Sequence, residues 1–413
     1  MGLKGRRVLF ISYNGMLDPL GQTQVLPYLR SLVSTGVEFT LLSFERNKAF
    51  DPAGQEGTRK LRAALLEQGI DWRWLRYHQS PSLPATTYDV FAGVRFAKAL
   101  VQEKRIELVH ARSHIPATIA VALKRRFKLK MIFDLRGLMA DEYVDAEHWP
   151  MNGLRYRITK LAERRALGKT DAIVTLTEKI WPIIREWDGL RGREVHHAVI
   201  PCCVDLKRFS FSQHERELRR AELGLDQQFT LVYSGSIDGW YLTEKMVEYF
   251  ASFRRNVPDS HLLWLTNGSH ERIRQLMMSS NIGLSSFSIR SVAADLVPSY
   301  LSAADAGIAF IKPCFSKLAS SPTKNGEYLA CGLPLVINSG IGDSDALVEE
   351  YKAGVLVNDF TAEDYAGAAA RLVQMTTDPG LRNKMRSVAA QLFDLEAVGT
   401  DRYADLYERV LGW

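Results

Sequence analysis

Apolar and polar positions along the chain follow two rhythms. Short continuous apolar runs of strand length recur at Arg7–Ser12, Glu38–Ser43, Glu107–His110, Met131–Asp134 and Ala172–Leu176. Runs of this kind are buried on both faces of a parallel sheet. Between them the apolar positions take helical spacing, which predicts helices over Val25–Val33, Gly57–Gln68, Tyr88–Glu103, Ala117–Arg126 and Leu154–Leu167. Repeated strand–helix alternation predicts a doubly wound α/β domain. Ligands in such domains meet the carboxyl ends of the strands.

The rhythm breaks at Val199-Ile200-Pro201-Cys202-Cys203-Val204-Asp205-Leu206-Lys207-Arg208-Phe209. A charged helix, His214–Leu223, follows, and then a second series. Its predicted strands are Phe229–Ser234, His261–Thr266, Ser286–Ile289, Ala306–Ile311, Leu335–Ile337 and Gly354–Val357. Helices are predicted between them, including Thr243–Asn256, Glu271–Met278, Leu296–Ala303 and Ala346–Tyr351. Two helices are expected to close the chain, the last an amphipathic Gly399–Leu411. The expected domains are 1–207, 208–393 and a C-terminal helix, 394–413, that returns to the first domain. No repeat or low-complexity tract interrupts them.

Composition fits this picture. The chain has 413 residues, 46% hydrophobic and 24% charged, which excludes disordered, collagenous and disulfide-dense classes. Cys202, Cys203, Cys314 and Cys331 form no CxxC and no Cys/His ligand spacing, so reduced thiols and no structural zinc are expected. No apolar run has the length of a membrane span. The basic start leads straight into a strand, so no signal peptide and a cytoplasmic location are expected. Arg6 stands where a myristoylation motif has Ser or Thr.

The net charge of +6 is unevenly spread. Residues 1–210 carry 34 Lys and Arg against 22 Asp and Glu, whereas 211–413 carry 19 against 25. A basic front half points to an anionic partner, either nucleic acid or a phospholipid surface.

The most informative segment is Ala319-Ser320-Ser321-Pro322-Thr323-Lys324-Asn325-Gly326-Glu327-Tyr328-Leu329-Ala330-Cys331-Gly332-Leu333-Pro334-Leu335-Val336-Ile337. Ser321 is the expected N-cap, Pro322 the first helical residue and Gly332 the stop. A helix that starts at the carboxyl edge of a sheet presents free N–H groups and a positive dipole end, a site for a diphosphate. Lys324 in the first turn conflicts with that dipole unless an anion binds. Glu327, three residues on, shares its face and is placed to accept hydrogen bonds from sugar hydroxyls. A surface helix with a solvated Lys–Glu pair accounts for these residues equally well.

In order, these motifs resemble family 4 retaining glycosyltransferases of the GT-B fold. Thr323-Lys324, Glu327–Ala330 and Gly332–Val336 are similar to the family's donor-site helix. Ile200-Pro201, Val204-Asp205 and Arg208-Phe209 are similar to its interdomain link. Gly21–Gln24, Asp134–Gly137 and Ser234-Gly235-Ser236 fall where the family keeps substrate loops. The resemblance implies an α/β GT-B architecture of two facing Rossmann-like domains. It implies a nucleotide-sugar donor as substrate, a glycan or lipid-linked saccharide acceptor, and retention at the anomeric carbon. By the same resemblance, Glu327 would hold the ribose hydroxyls. Lys324 with Ser321, Pro322 and Thr323 would hold the diphosphate, joined by Gly21 and Ser236, while Arg290 and Val292 would meet the base.

The chain departs from the family pattern in three places. Ala319 replaces a glutamate that contacts the transferred sugar, and the turn Gly235–Trp240 lacks the usual cations. Arg136 replaces a histidine, which makes it the second candidate catalytic cation beside Lys324. Arg112, Asp141 and Glu142 are candidate acceptor residues, with helix capping the other reading for Asp141-Glu142. Trp240-Tyr241 shape the donor pocket or simply pack. Asp343-Ser344-Asp345 is the single DxD and lies before a helix, so capping is expected there, with no metal and no cofactor.

Among other enzyme classes, GxSxG, Walker A and post-strand GxGxxG motifs are absent. A nucleotide-sugar epimerase of the same architecture is the alternative. A nucleic-acid-binding role is disfavoured, since Phe127 is the only aromatic within the 122–130 cationic cluster. Segment 153–169 sets Arg155, Arg157, Lys160, Arg164, Arg165 and Lys169 against Glu163 alone, with Leu154, Ile158, Leu161 and Leu167 interleaved. Such a helix suits peripheral contact with an anionic membrane. Its apolar residues are themselves expected to pack on the sheet.

Overall fold

The computed structural model describes residues 2–412; Met1 and Trp413 lie outside the described residues. The chain divides into two compact units. One comprises the residues up to Pro201 together with those from Leu395 onward, and the other is Cys202–Asp394.

The first unit holds a parallel sheet of seven strands: β1 Arg7–Ser12, β2 Glu38–Glu45, β3 Ile70–Arg76, β4 Leu108–Arg112, β5 Lys130–Asp134, β6 Ala172–Thr175 and β7 His196–Val199. Their order is β3-β2-β1-β4-β5-β6-β7, so the winding reverses between β1 and β4. Ser12 is in register with both Ser43 and Arg112, which brings the carboxyl ends of three strands level.

The hydrophobic pattern missed β3 and β7 because both are edge strands. Trp72 is buried, but Arg73 and Trp74 are half-buried and Arg76 is exposed, so β3 lacks a continuous apolar run. β7 reads His-His-Ala-Val for the same reason. The helix predicted over Val25–Val33 is observed as Leu26–Val33, and a short helix that was not predicted, Pro19–Gln24, precedes it. Pro27 lies near the start of the second helix, where its missing N–H costs nothing.

The amphipathic helix near the end, Asp401–Leu411, belongs to the first unit and buries Tyr403, Leu406, Tyr407 and Val410. Spacings of three and four residues put all of these on one face. The Tyr403 hydroxyl donates to Asp134 Oδ2 at 3.0 Å, and the Tyr407 hydroxyl lies 2.6 Å from His110 Nδ1.

The basic helix Leu154–Leu167 corrects one expectation. Leu154, Ile158 and Leu161 do not pack on the sheet; they are 70%, 46% and 47% exposed. The opposite face, with Glu163, Ala166 and Leu167, is the buried one. Glu163 lies 2.9 Å from His114 Nε2 and 2.5 Å from Lys160 Nζ. Burial opposes its ionisation, but His114 and Lys160 outweigh that and hold its pKa below the usual range. A buried ion network therefore anchors the helix with its apolar stripe outward.

The second unit has six parallel strands: β8 Phe229–Ser234, β9 Ser260–Leu265, β10 Phe287–Arg290, β11 Ala306–Ala309, β12 Leu335–Asn338 and β13 Gly354–Val357. Their order is β10-β9-β8-β11-β12-β13, with the reversal between β8 and β11. Tyr233, Phe250, Trp264 and Phe310 fill the core on one face of the sheet, and Leu263, Tyr328, Leu329 and Leu335 fill the other.

Gly307 on β11 lets the helix Thr323–Ala330 lie close. A Cβ there would stand 2.2 Å from the Tyr328 ring. Gly307→Ala is therefore expected to destabilise the protein by about 1–3 kcal/mol, the usual cost of overpacking a core. Urea unfolding would measure it, and an unchanged midpoint would show that the helix is not seated on β11.

Candidate functional site

The second sheet assembles its candidate site where its winding reverses. The carboxyl ends there, in order across the sheet, are Arg290 of β10, Leu265 of β9, Ser234 of β8 and Ala309 of β11. The loop that leaves β8 turns through Gly235 at φ 142° and Asp238 and Gly239 near φ 60°. The Gly235 N–H donates to the Leu265 carbonyl at 3.0 Å, and the Ser234 N–H donates to Tyr328 Oη at 2.8 Å. The Tyr233 hydroxyl donates to the carbonyl of Ser236, whose side chain is exposed. Tyr241 then bridges to Ile311, and the Lys312 N–H donates to the Trp240 carbonyl at 2.9 Å. The turn after β8 is thus tied to the segment that leaves β11.

That segment leads into the helix Thr323–Ala330. Pro322, not Ser321, occupies the N-cap position, and no side chain caps the helix. Ser321 stands one residue too early to cap, and its Oγ instead accepts from the Cys202 N–H at 3.1 Å. Gly332 ends the helix at φ 74°, with the Leu333 N–H donating back to the Tyr328 carbonyl at 2.9 Å. This is the left-handed stop expected of glycine.

Lys324 sits in the first turn, 6% exposed. Its Nζ lies 3.8 Å from the centre of the Tyr241 ring and 5.4 Å from that of Tyr233. Among the described residues, no carboxylate reaches it within ion-pair distance. A Cβ on Gly235 would come within 3.2 Å of the same nitrogen. Burial pushes the Glu327 carboxyl above its ordinary pKa, with Lys324 and Arg208 pulling the other way. A cation held on aromatic faces and a reluctant carboxylate three residues apart form an electrostatically unfinished site. An anion near Lys324 and hydroxyl donors near Glu327 would complete it.

Sequence reasoning missed several members of this neighbourhood. Tyr233 reads as ordinary strand core, and nothing in the pattern links Tyr241 to Lys324. Lys317 is buried, with its Nζ 3.8 Å from the Trp240 ring, in a short turn that carries no periodic signal. Arg290 ends β10 and donates to the Ile289 carbonyl at 3.1 Å; Val292 is half-buried against the core. In the Asp-Ser-Asp segment, Asp343 holds the N-cap position without a side-chain cap bond, and Asp345 accepts from the Gly340 N–H at 3.0 Å.

The remaining candidates lie in the first unit. Arg112 ends β4 opposite Asp134 at the end of β5. Arg136 adopts a left-handed backbone at φ 57°, with its Nε 4.0 Å from Asp134 Oδ1 and its Nη2 3.3 Å from Gln24 Oε1. Burial opposes ionisation of Asp134, but Arg136, His110 and Arg112 outweigh it and hold the pKa below the usual range. The structure thus brings Arg112 and Arg136 together around one buried carboxylate.

Asp141 is drawn aside, with Lys160 Nζ at 3.2 Å and Tyr156 Oη at 3.3 Å. Glu142 reaches towards the preceding turn, where a Cβ on Gly137 would meet its Oε1 at 2.9 Å. Gly21 is helical and packs against the Gly15 carbonyl, 2.2 Å from where a Cβ would be. Close backbone approach accounts for that glycine.

Residues 21–203 match the family described as a glycosyl transferase 4-like domain. An alpha-D-kanosaminyltransferase of Streptomyces kanamyceticus is 26% identical over 270 residues, or 61% of this chain. The chain spans 64% of that relative's length. Among solved structures, sucrose-phosphate synthase from Thermosynechococcus elongatus superposes with a TM-score of 0.74 at 17% identity, covering 98% of this chain and 99% of that one. HepE of Anabaena in complex with UDP superposes with a TM-score of 0.72 at 15% identity, covering 98% and 100%.

The raised Glu327 pKa has a signed consequence. The folded chain holds this proton more tightly than the unfolded chain, so stability falls as pH rises from about 4.5 through the folded value. Glu327→Gln is expected to be more stable than the parent at pH 7, with the two converging below about pH 4.5. Thermal melts across that range would show it; a variant less stable at pH 7 would contradict the assignment.

Proposed function

We propose that this chain, whose fold is that of GT-B glycosyltransferases, is a family 4 glycosyltransferase that transfers a glycosyl residue from a nucleoside-diphosphate sugar to a glycan or lipid-linked saccharide. The reaction retains anomeric configuration and needs no metal ion. The observation that carries this reading is the buried Lys324 amino group, held on the Tyr241 ring at the start of an uncapped helix with no carboxylate partner. A departing diphosphate gains negative charge as positive charge grows at the anomeric carbon. Lys324 and the first-turn N–H groups oppose the first change without reorganising, and the bond breaks more readily.

Glu327 accepts from the ribose hydroxyls, which satisfy a carboxylate that burial makes costly to ionise. Arg290 and Val292 flank the base, with Ser236 at the phosphates. Within the first unit, Arg136, paired with Asp134, is a further candidate catalytic cation, and Arg112, Asp141 and Glu142 serve the acceptor. The UDP in the HepE structure makes uridine the first base to test.

The location follows from the exposed stripe Leu154, Ile158 and Leu161, flanked by the exposed Arg155, Arg157, Arg164 and Arg165. No helix among the described residues is long and apolar enough to cross a membrane. Contact is therefore peripheral, at an anionic cytoplasmic leaflet, with the apolar side chains entering the interface and the arginines meeting phosphates.

A thermal-shift screen against UDP-, GDP-, ADP- and TDP-sugars should show one class stabilising the protein in a concentration-dependent way. Lys324→Ala should then lower kcat by roughly 10²–10³-fold, as loss of one fixed electrostatic donor does. No shift with any donor would defeat the reading, and isomerised donor formed without acceptor would favour the epimerase. Separately, replacing Leu154, Ile158 and Leu161 by Gln should release the protein from phosphatidylglycerol vesicles in co-sedimentation. Equal binding to neutral vesicles would remove the membrane role.

A further inference from the structure

The edge strand that the hydrophobic pattern missed leads to a second constellation in the first unit. β1 runs directly into Tyr13, and β3 into Tyr77 and His78. Between them stands Asp89, from the helix Ser82–Lys104, only 1% exposed. Its Oδ2 accepts from the Tyr13 hydroxyl at 2.8 Å and from the His78 N–H at 3.0 Å, and its Oδ1 lies 2.6 Å from His78 Nδ1. Burial and Asp89 together raise the Tyr13 pKa far above the ordinary phenol range, so this hydroxyl remains a donor.

With Nδ1 held against the carboxylate, Nε2 is the ring nitrogen left for a ligand. The ring is not buried by this arrangement, since the side chain keeps 39% of its surface exposed. Tyr88 sets its edge against the imidazole at 5.1 Å and 89° while remaining 57% exposed. Tyr77 meets Tyr13 edge-on at 5.2 Å, and Phe91, 68% exposed, is three residues beyond Tyr88 on the same helix.

A folding role alone does not ask for this design. Burying a carboxylate is costly, and here it holds a half-exposed ring in one orientation without sealing the ring into a core. An oriented imidazole nitrogen among exposed aromatic rings matches the two faces of a sugar. Hydroxyls meet the fixed polar atom, and the C–H face lies on the rings. We propose that His78, oriented by Asp89 and Tyr13 and flanked by Tyr77 and Tyr88, is a carbohydrate-binding subsite for the acceptor. His78 Nε2 hydrogen-bonds a hydroxyl of the acceptor, and Tyr88 stacks on the sugar ring beside it. This rests on the glycosyltransferase reading above, and it places acceptor recognition on residues distinct from Arg112, Asp141 and Glu142.

The test uses the full chain on an immobilised panel of neutral, acidic and amino-sugar oligosaccharides, without nucleotide present. The parent should retain at least one class. His78→Ala and Tyr88→Ala should each weaken that retention at least tenfold. Both surface variants should keep the parent's full thermal shift with the nucleotide sugar that stabilises it, and the parent's melting temperature without one, which shows that they fold and that their loss is specific to the glycan. No glycan retained by the parent, or undiminished retention in both variants, would overturn the proposal. The glycan readout stands apart from the donor readout, so failure of one is not mistaken for failure of the other.

Discussion

The second unit depends on an unusual accommodation of charge. A lysine amino group is taken out of water and set against a tyrosine ring instead of a carboxylate. Such a contact returns about 0.5–2 kcal/mol or somewhat more, well short of what full burial of an unpaired ammonium would cost. The shortfall is what a bound anion would offset. Glu327, made reluctant to ionise by its surroundings, does not neutralise it at ion-pair distance. The site is therefore electrically incomplete by construction, which is what a pocket for a charged leaving group requires.

Several features of no direct chemical role keep that accommodation in place. Tyr328 lies flat over Gly307 and holds the Ser234 N–H through its hydroxyl, so one side chain fixes both the helix and the turn facing it. The bridge between Tyr241 and Ile311 holds the ring that Lys324 rests on. The first unit solves a related problem differently. There Asp134 gathers Arg136, Arg112 and His110 at the ends of two neighbouring strands, and the Tyr403 hydroxyl donates to its Oδ2.

Much of this was legible in the chain. Continuous apolar runs located the central strands of both sheets, because a strand covered on both faces has no reason to alternate. The edge strands β3 and β7 escaped for the converse reason, and with β3 went the His78–Asp89 pair. Helix boundaries were harder. Ser321 has the right chemistry for a cap but the wrong phase by one residue, and the six-residue helix Pro19–Gln24 is too short to show a period. At the site, Lys324 and Glu327 were marked by an unfavourable dipole and a shared face. Of the aromatic partners, Trp240-Tyr241 were marked only as shaping the pocket or packing and Tyr233 not at all, since these rings reach the lysines only through tertiary folding. The outward stripe of Leu154, Ile158 and Leu161 also ran against the simple rule that apolar faces turn inward. A buried salt network on the opposite face decided its orientation.

The route of the backbone between the units adds a consequence of another kind. Residues 202–394 form the second unit without interruption, and its entry and exit lie side by side, with the Val204 N–H on the Phe393 carbonyl at 2.7 Å. The first unit, by contrast, is assembled from both flanks of that insert, and His110 and Asp134 find Tyr407 and Tyr403 only from the far flank. The first sheet therefore lacks two of its buried hydrogen bonds, Tyr407 with His110 and Tyr403 to Asp134, until the last helix of the chain has been made.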